Sequence, residues 1–224
     1  MTTQSLTETL ADFQANRALT MAADKLKINV DQRRLLVDTA DRAAFVKAGD
    51  TVAPFTLTEV DEGELTLQAL LQSGPAVLIF FRFAGCPACN IALPYYNQNL
   101  APQLAALGAT LVGVSPQIPE RLRDIKDRHV LSFRIATDRD NALARRFGVL
   151  YEYDEPSRRA SLESGSPIGE VTGTGTFELP MPTVVVIDGR GVVRFADVSP
   201  DWLVRTEPSV IIDAVRDIQR SAAA

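Results

Sequence analysis

The residues that usually carry chemistry are scarce in this chain: 224 residues hold two cysteines, one histidine and one tryptophan. A lone histidine, His129, gives a Ser/His/Asp arrangement nothing convincing to build on. It ends a charged stretch, where a structural or solvent-facing place is expected. Together with the two cysteines it offers three thiolate or imidazole ligands, short of the four that close a structural zinc site, so no metal is implied. Positive charge is not in excess either. The balance of 23 Lys+Arg against 28 Asp+Glu gives a net charge of −5, which argues against a nucleic-acid or anionic-membrane surface. Arg121, Arg123, Lys126 and Arg128 alternate with Glu120, Asp124 and Asp127, the pattern of a solvated helix face. No apolar run approaches the ~18 residues of a membrane helix. Met1–Ser5 lack a basic start followed by an apolar stretch, so a reducing, cytoplasmic location is expected.

What is present is ordinary in bulk and unusual at one place. Hydrophobic residues make up 46% and charged residues 23%, as in a globular protein with one large domain or a domain with an appendage. The only two cysteines lie in Cys86-Pro87-Ala88-Cys89, directly after the apolar run Ala76–Phe81. Pro87 suits a first helical turn, where its missing N–H is no loss. That puts Cys86 near the N-cap and Cys89 one turn in, on the same face. Unpaired N–H groups and the helix dipole there favour thiolate, so Cys86 is expected to be the more exposed and the more acidic sulfur. Arg82, four residues earlier, can add positive potential. A pair of buried, inert cysteines would leave this spacing unexplained, and redox chemistry is the reading it supports.

Along the chain, Ser5-Leu6-Thr7-Glu8 has the form of a capping box opening a helix with Leu10, Phe13 and Met21. A second helix is expected from near Asp31, carrying Leu35, Leu36, Ala43, Phe45 and Val46. This helical extension, residues 1–47, needs an apolar partner, either the main domain or a second copy in a homodimer, and both remain open. The main domain, residues 48–224, opens with a strand at Phe55–Thr58 and a turn at Asp61–Glu64. A short helix to Gly74, a central strand at Ala76–Phe81 and one cysteine helix from Pro87 to Leu107 follow. Strands at Ala109–Val114 and Phe133–Ala136 alternate with helices at Pro119–Val130 and Asn141–Phe147. Asp188-Gly189-Arg190-Gly191 joins two apolar runs as a hairpin, and a last helix covers Pro208–Ile218. Tyr153–Pro180 reads as an irregular, mobile insertion. Early β/α alternation with a late hairpin predicts an α/β fold with a mixed sheet flanked by helices.

The strand, the Cys-x-x-Cys and its helix resemble the thioredoxin fold. Pro94 stands five residues after Cys89, where that fold carries a kinking proline, and Met181-Pro182-Thr183 precedes a strand where it holds a cis-proline loop. Over a longer span the chain resembles the peroxiredoxin-like branch of the alkyl hydroperoxide reductase/thiol-specific antioxidant family. The segments that carry this are Gly49–Leu57, Gly85–Asn90, Gly108–Pro116 and Phe147-Gly148-Val149. The departures are specific. If the family's peroxidatic cysteine is laid on Cys89, Arg82 stands at its proline and Cys86 at its threonine. The family's later arginine falls near Met181 or Pro182. Phe80 stands at the buried acid of thioredoxin and Gly85 at its tryptophan.

The resemblance implies a thiol oxidoreductase that reduces hydroperoxides through a Cys86/Cys89 dithiol–disulfide cycle. A thioredoxin-type or glutathione-type thiol would be the reductant, with no organic cofactor or metal. Pro182 is expected to shape the substrate groove and Arg82 to lower the thiol pKa, with Pro87 as the helix's first residue. Helix electrostatics favour Cys86 as nucleophile, whereas the overlay favours Cys89. Two other functions remain open: a protein-disulfide reductase, and a non-catalytic redox sensor whose disulfide switches an interface.

Overall fold

A computed structural model describes residues 4–61 and 63–223. Met1–Thr3 of the N-terminal reading and Glu62 of the first predicted turn lie outside the described residues. The capping box at Ser5 is formed. The Ser5 hydroxyl accepts from the Glu8 N–H, and the Glu8 carboxylate accepts from the Ser5 N–H. It opens α1 (Leu6–Thr20). Helix α2 spans Ala23–Thr39, starting earlier and ending sooner than the sequence predicts. Its N-cap is Ala22, which offers no side-chain signal. Its end is set by the extended backbone of Ala40 and by the Asp41 carboxylate, which accepts from the Ala43 N–H. Ala43, Phe45 and Val46 therefore sit in a turn, not a helix.

Among the described residues the central sheet has seven strands in the order β2-β1-β5-β4-β3-β8-β9. These are β1 (Thr56–Glu59), β2 (Gly63–Thr66), β3 (Ala76–Phe80), β4 (Thr110–Ser115), β5 (Arg134–Thr137), β8 (Thr183–Ile187) and β9 (Val193–Val198). Strands β3, β4 and β5 run parallel, while β8, β9, β1 and β2 join by antiparallel pairing, so the sheet is mixed as expected. Every residue of β3 is buried because both faces are covered. Val77 and Ile79 enter one apolar cluster, and Ala76, Leu78 and Phe80 enter the other. Helix α3 (Leu67–Leu71) and α7 (Ala142–Arg146) supply the second cluster, while α1, α2, α6 (Pro119–Arg128) and α10 (Pro208–Ala223) supply the first. Leu6, Leu10 and Leu36 are buried there, so the N-terminal helices find an apolar partner within their own chain.

The single helix predicted over Pro87–Leu107 is two: α4 (Pro87–Asn99) and α5 (Ala101–Ala106). The break at Leu100 precedes Pro102, which has no N–H to bond the Gln98 carbonyl and whose ring would crowd that carbonyl in a continuous helix. Tyr153–Pro180 is not irregular: it folds as α8 (Glu155–Glu163), α9 (Ile168–Thr172) and β7 (Glu178–Pro180). Strand β7 pairs with β6 (Leu150–Glu152) in a separate ribbon. The Ser/Thr/Gly composition that suggests a loop instead builds the hydroxyl chain Thr172–Thr174–Thr176, with Thr172 bonded to the Ile168 carbonyl. Finally, no peptide bond is cis among the described residues, so Met181–Pro182 is trans. The motif Phe147-Gly148-Val149 has a steric basis. Gly148 has φ +69°, and a Cβ there would stand 2.1 Å from the Ala44 carbonyl oxygen.

Candidate active site

Strand β3 delivers the chain to the loop 81–85, and hydrogen bonds fix that loop before the helix begins. Phe81 N–H donates to the Val114 carbonyl, and the Ser115 hydroxyl donates to the Arg82 carbonyl. Ala84 N–H donates to the Gln117 side-chain oxygen, whose amide nitrogen reaches the Val171 carbonyl. Asn90 then closes the loop from the far side, its amide nitrogen donating to the carbonyls of Ala84 (2.7 Å) and Cys86 (2.9 Å). Its oxygen accepts from Arg128 and from His129 Nε2 at 2.8 Å, so the lone histidine is a structural brace, as its position suggests.

Cys86 is the N-cap of α4, Pro87 its first residue and Cys89 its third, as the spacing predicts. Both sulfurs are reduced and both are 0% exposed. The expectation that Cys86 would be the exposed one is therefore corrected. The pair lies within the apolar cluster that also buries Tyr151, Met181, Trp202 and Leu203. Burial alone would push both thiols up. For Cys86 it is overcome: the neighbouring Cys89 thiol hydrogen-bonds to it, and Arg82 and Arg205 add positive potential, bringing its pKa to about 5. For Cys89, burial and the negative charge on Cys86 act together and hold the thiol well above its ordinary range. The surroundings thus favour the thiolate at Cys86 and the thiol at Cys89.

Each sulfur has its own guanidinium. Arg82 Nη1 lies 3.9 Å from Cys86 Sγ, and Arg205 Nη2 lies 3.8 Å from Cys89 Sγ. The carbonyls of Trp202 and Val204 anchor Arg205. Arg82 donates to the Tyr153 hydroxyl at 2.9 Å and lies over the Trp202 ring, 4.6 Å from its centroid. Arg17 of α1 and Arg33 of α2 lie over the same ring at 5.5 and 5.6 Å. The Trp202 N–H donates to Gln32, and Arg33 forms a two-bond ion pair with Asp201. The N-terminal helices are thus part of the lid over the thiols. A groove of about 540 Å³ between α2 and α8–α9 counts Arg82, Phe83 and Tyr153 among its lining residues.

Of the residues the sequence singles out, Cys86, Cys89, Pro87 and Arg82 come together. Pro182 is buried at the entry to β8, its carbonyl accepting from the Ser199 N–H. No arginine stands at Met181 or Pro182; the second guanidinium is Arg205, 116 residues beyond Cys89. No spacing rule marks it. Trp202, Tyr151 and Tyr153 also escape a reading of the sequence, because each reaches the site from a distant segment.

Known proteins give a consistent comparison. The profile of the AhpC/TSA family matches residues 48–196. A Mycobacterium tuberculosis protein described as a peroxiredoxin is 30% identical over 104 residues, covering 46% of this chain and 67% of its own. Peroxiredoxin Bcp of Escherichia coli is 29% identical over 105 residues, or 46% of this chain and 65% of the relative, just under two thirds of its length. Among solved structures, peroxidoxin BcpB from Mycobacterium tuberculosis superposes with a TM-score of 0.60 at 23% identity, covering 77% of this chain and 98% of that one. Peroxiredoxin Q of Xanthomonas campestris gives 0.55 at 18% identity, covering 74% and 90%. At these identities the structural likeness speaks for the thioredoxin-like fold.

Proposed function

Because the chain belongs to the AhpC/TSA family, we propose that it is a thiol-dependent peroxidase that reduces hydroperoxides through Cys86 and Cys89. The observation that carries this reading is two buried thiols at one helix start, each facing an arginine, in surroundings that lower the Cys86 pKa and raise that of Cys89. The Cys86 thiolate attacks the outer oxygen of R–O–OH, the O–O bond breaks, and Cys86 becomes a sulfenic acid. The departing RO⁻ takes up one proton from water and leaves as ROH. The Cys89 thiol then displaces hydroxide from the sulfenic sulfur, and its own proton completes a molecule of water, leaving the Cys86–Cys89 disulfide. An external dithiol, of thioredoxin or glutathione type, restores the reduced pair by exchange. The electrostatics support Cys86 as nucleophile over Cys89. Pro87 leaves the helix start free of an extra donor, and Pro182, just before β8, would shape the substrate groove. We also read the protein as cytoplasmic. No described helix is long and apolar enough to cross a membrane.

A sulfenic-acid probe applied to the Cys86→Ser and Cys89→Ser proteins after one equivalent of peroxide tests the assignment. Cys89→Ser should label stoichiometrically and Cys86→Ser should not; the reverse pattern would transfer the role to Cys89. Turnover of hydrogen peroxide, an organic hydroperoxide and an insulin-type disulfide under one reductant separates this reading from a protein-disulfide reductase. Negligible turnover of all three would point instead to the redox sensor.

A further inference from the structure

One polar side chain of α4 reaches back to two backbone oxygens of the loop before it. Asn90 Nδ2 lies 2.7 Å from the Ala84 carbonyl oxygen and 2.9 Å from that of Cys86. Both oxygens only accept, so the amide orientation is fixed, with nitrogen towards the loop and oxygen away from it. Among the described residues no other donor reaches the carbonyl of Ala84, which is buried. Stripped of Asn90, that carbonyl would have to shift to find another donor. The Asn90 oxygen is held in turn by the end of α6, accepting from Arg128 Nη1 at 3.0 Å and from His129 Nε2 at 2.8 Å. His129 therefore carries a proton on Nε2, while burial and the Arg128 charge disfavour a second one. Asn97, two turns further along α4, grips the same segment. Its nitrogen donates to the Val130 carbonyl at 3.3 Å, and its oxygen accepts from the Ser132 N–H and hydroxyl. Between these contacts Val130 stands at φ +48°, a left-handed conformation rare for a branched side chain, and it is 81% exposed. Such strain persists because the residues on both sides are tied down.

We propose that Asn90 is the positioning residue of the thiol site: it links the tied-down end of α6 to the carbonyls on either side of Gly85 and so sets where the Cys86 sulfur stands. This rests on the reading of Cys86 as the attacking sulfur. As N-cap of α4, Cys86 makes no side-chain cap bond that would fix it. Its N–H donates to the Phe83 carbonyl at 3.1 Å, and its own carbonyl accepts twice from Asn90, from the N–H at 3.0 Å and from Nδ2 at 2.9 Å. Asn90 thereby fixes the residue whose sulfur must face Arg82 and accept from the Cys89 thiol at once. A displacement of about 1 Å would weaken both contacts, and a misplacement of that size can cost about a hundredfold in rate. Asn90 touches neither peroxide nor sulfur in this scheme; it acts through the backbone of Cys86.

The test uses Asn90→Leu, which keeps the volume but neither donates nor accepts, and the double variant Arg128→Met, His129→Leu, which leaves the amide in place without its support. Each is compared with the wild type by the pH midpoint of Cys86 alkylation by iodoacetamide and by kcat/KM for an organic hydroperoxide. Asn90→Leu should raise the midpoint by at least about one pH unit, as the thiolate loses contact with Arg82. It should lower kcat/KM by about ten- to a hundredfold. The double variant should move both in the same direction by less, and should add nothing in the Asn90→Leu background, because it acts through that amide. A role in folding alone would lower the melting temperature and leave the midpoint in place. An Asn90→Leu protein with unchanged midpoint and kcat/KM overturns the proposal, and so does full additivity with the double variant. Should Asn90→Leu fail to fold, an unchanged midpoint in the double variant overturns it equally. If the wild type consumes no hydroperoxide while the midpoints move as stated, the peroxidase reading fails and the positioning role stands. Sulfenic-acid labelling at Cys89 in place of Cys86 overturns the role together with the choice of nucleophile.

Discussion

The two faces of the central sheet make an instructive pair. The cluster containing Leu57, Leu78, Val112, Phe147 and Val185 is built entirely from Val, Leu, Ile, Ala and Phe. The cluster on the other face includes two thiols, two buried tyrosines and the tryptophan, and guanidiniums border it. The first gains free energy from every buried methylene. The second spends some of it holding charge out of water, which a well-packed apolar replacement would not require. One sheet therefore separates the task of staying folded from the task of reacting, and substitutions on the two faces should have opposite signatures.

The largest effect belongs to the apolar face. Leu78→Ala empties a fully buried site and should cost about 2–5 kcal/mol in urea unfolding. The alkylation rate of Cys86 in the folded protein should not change; a shift there would show that the faces are coupled. Arg82→Met breaks the comparison from the other side. It removes one partner of a buried pair and the donor to the Tyr153 hydroxyl, so the melting temperature should fall at neutral pH. The Cys86 midpoint should climb towards its ordinary value, and alkylation at pH 7 should slow by roughly one to two orders of magnitude. A midpoint that stays near 5 would leave Cys89 and Arg205 as the whole cause.

A third effect is a pH dependence confined to the reactive face. The folded pKa of Cys86 is depressed to about 5 from an ordinary 9.0. Between those values the unfolded chain binds the extra proton, so stability of the dithiol form rises with pH across that window. It is lost again as pH falls through about 5. Cys89 has the opposite sign: its folded pKa is raised, so above pH 9 the unfolded chain releases a proton that the native protein keeps, and stability declines. Urea titrations at a series of pH values should trace this rise and fall in the wild type. The Cys86→Ala, Cys89→Ala double variant should flatten it.

How much of this was legible beforehand follows the range of the forces involved. Local signals read true: the capping box at Ser5, the continuous apolar run of β3, the hairpin around Gly189 and the placement of Cys86 and Cys89 about Pro87. The Pro102 break was also readable in principle, since a proline two residues into a helix marks its start. Hidden from the sequence was everything made by long-range contact. The burial of Cys86 depends on distant segments converging, Arg205 reaches Cys89 from another loop, and the Ser/Thr/Gly stretch folds only because Ile168 and Thr172 are buried against the rest. Composition describes such segments poorly, because their order comes from partners far away along the chain.

The Glu207 carboxylate has a consequence for the order in which the protein is completed. It accepts from the N–H groups of Leu6 and Thr7 and from the Thr7 hydroxyl, so a residue near the C-terminus caps the first helix. Asp201, Trp202 and Arg205 come from the same late segment. On a ribosome, which releases the chain from its amino end, α1 has no anchor and the two thiols have no cover until that segment emerges. The nascent polypeptide therefore carries its reactive sulfurs without this cover from the moment Cys86 and Cys89 emerge until residues 201–207 follow.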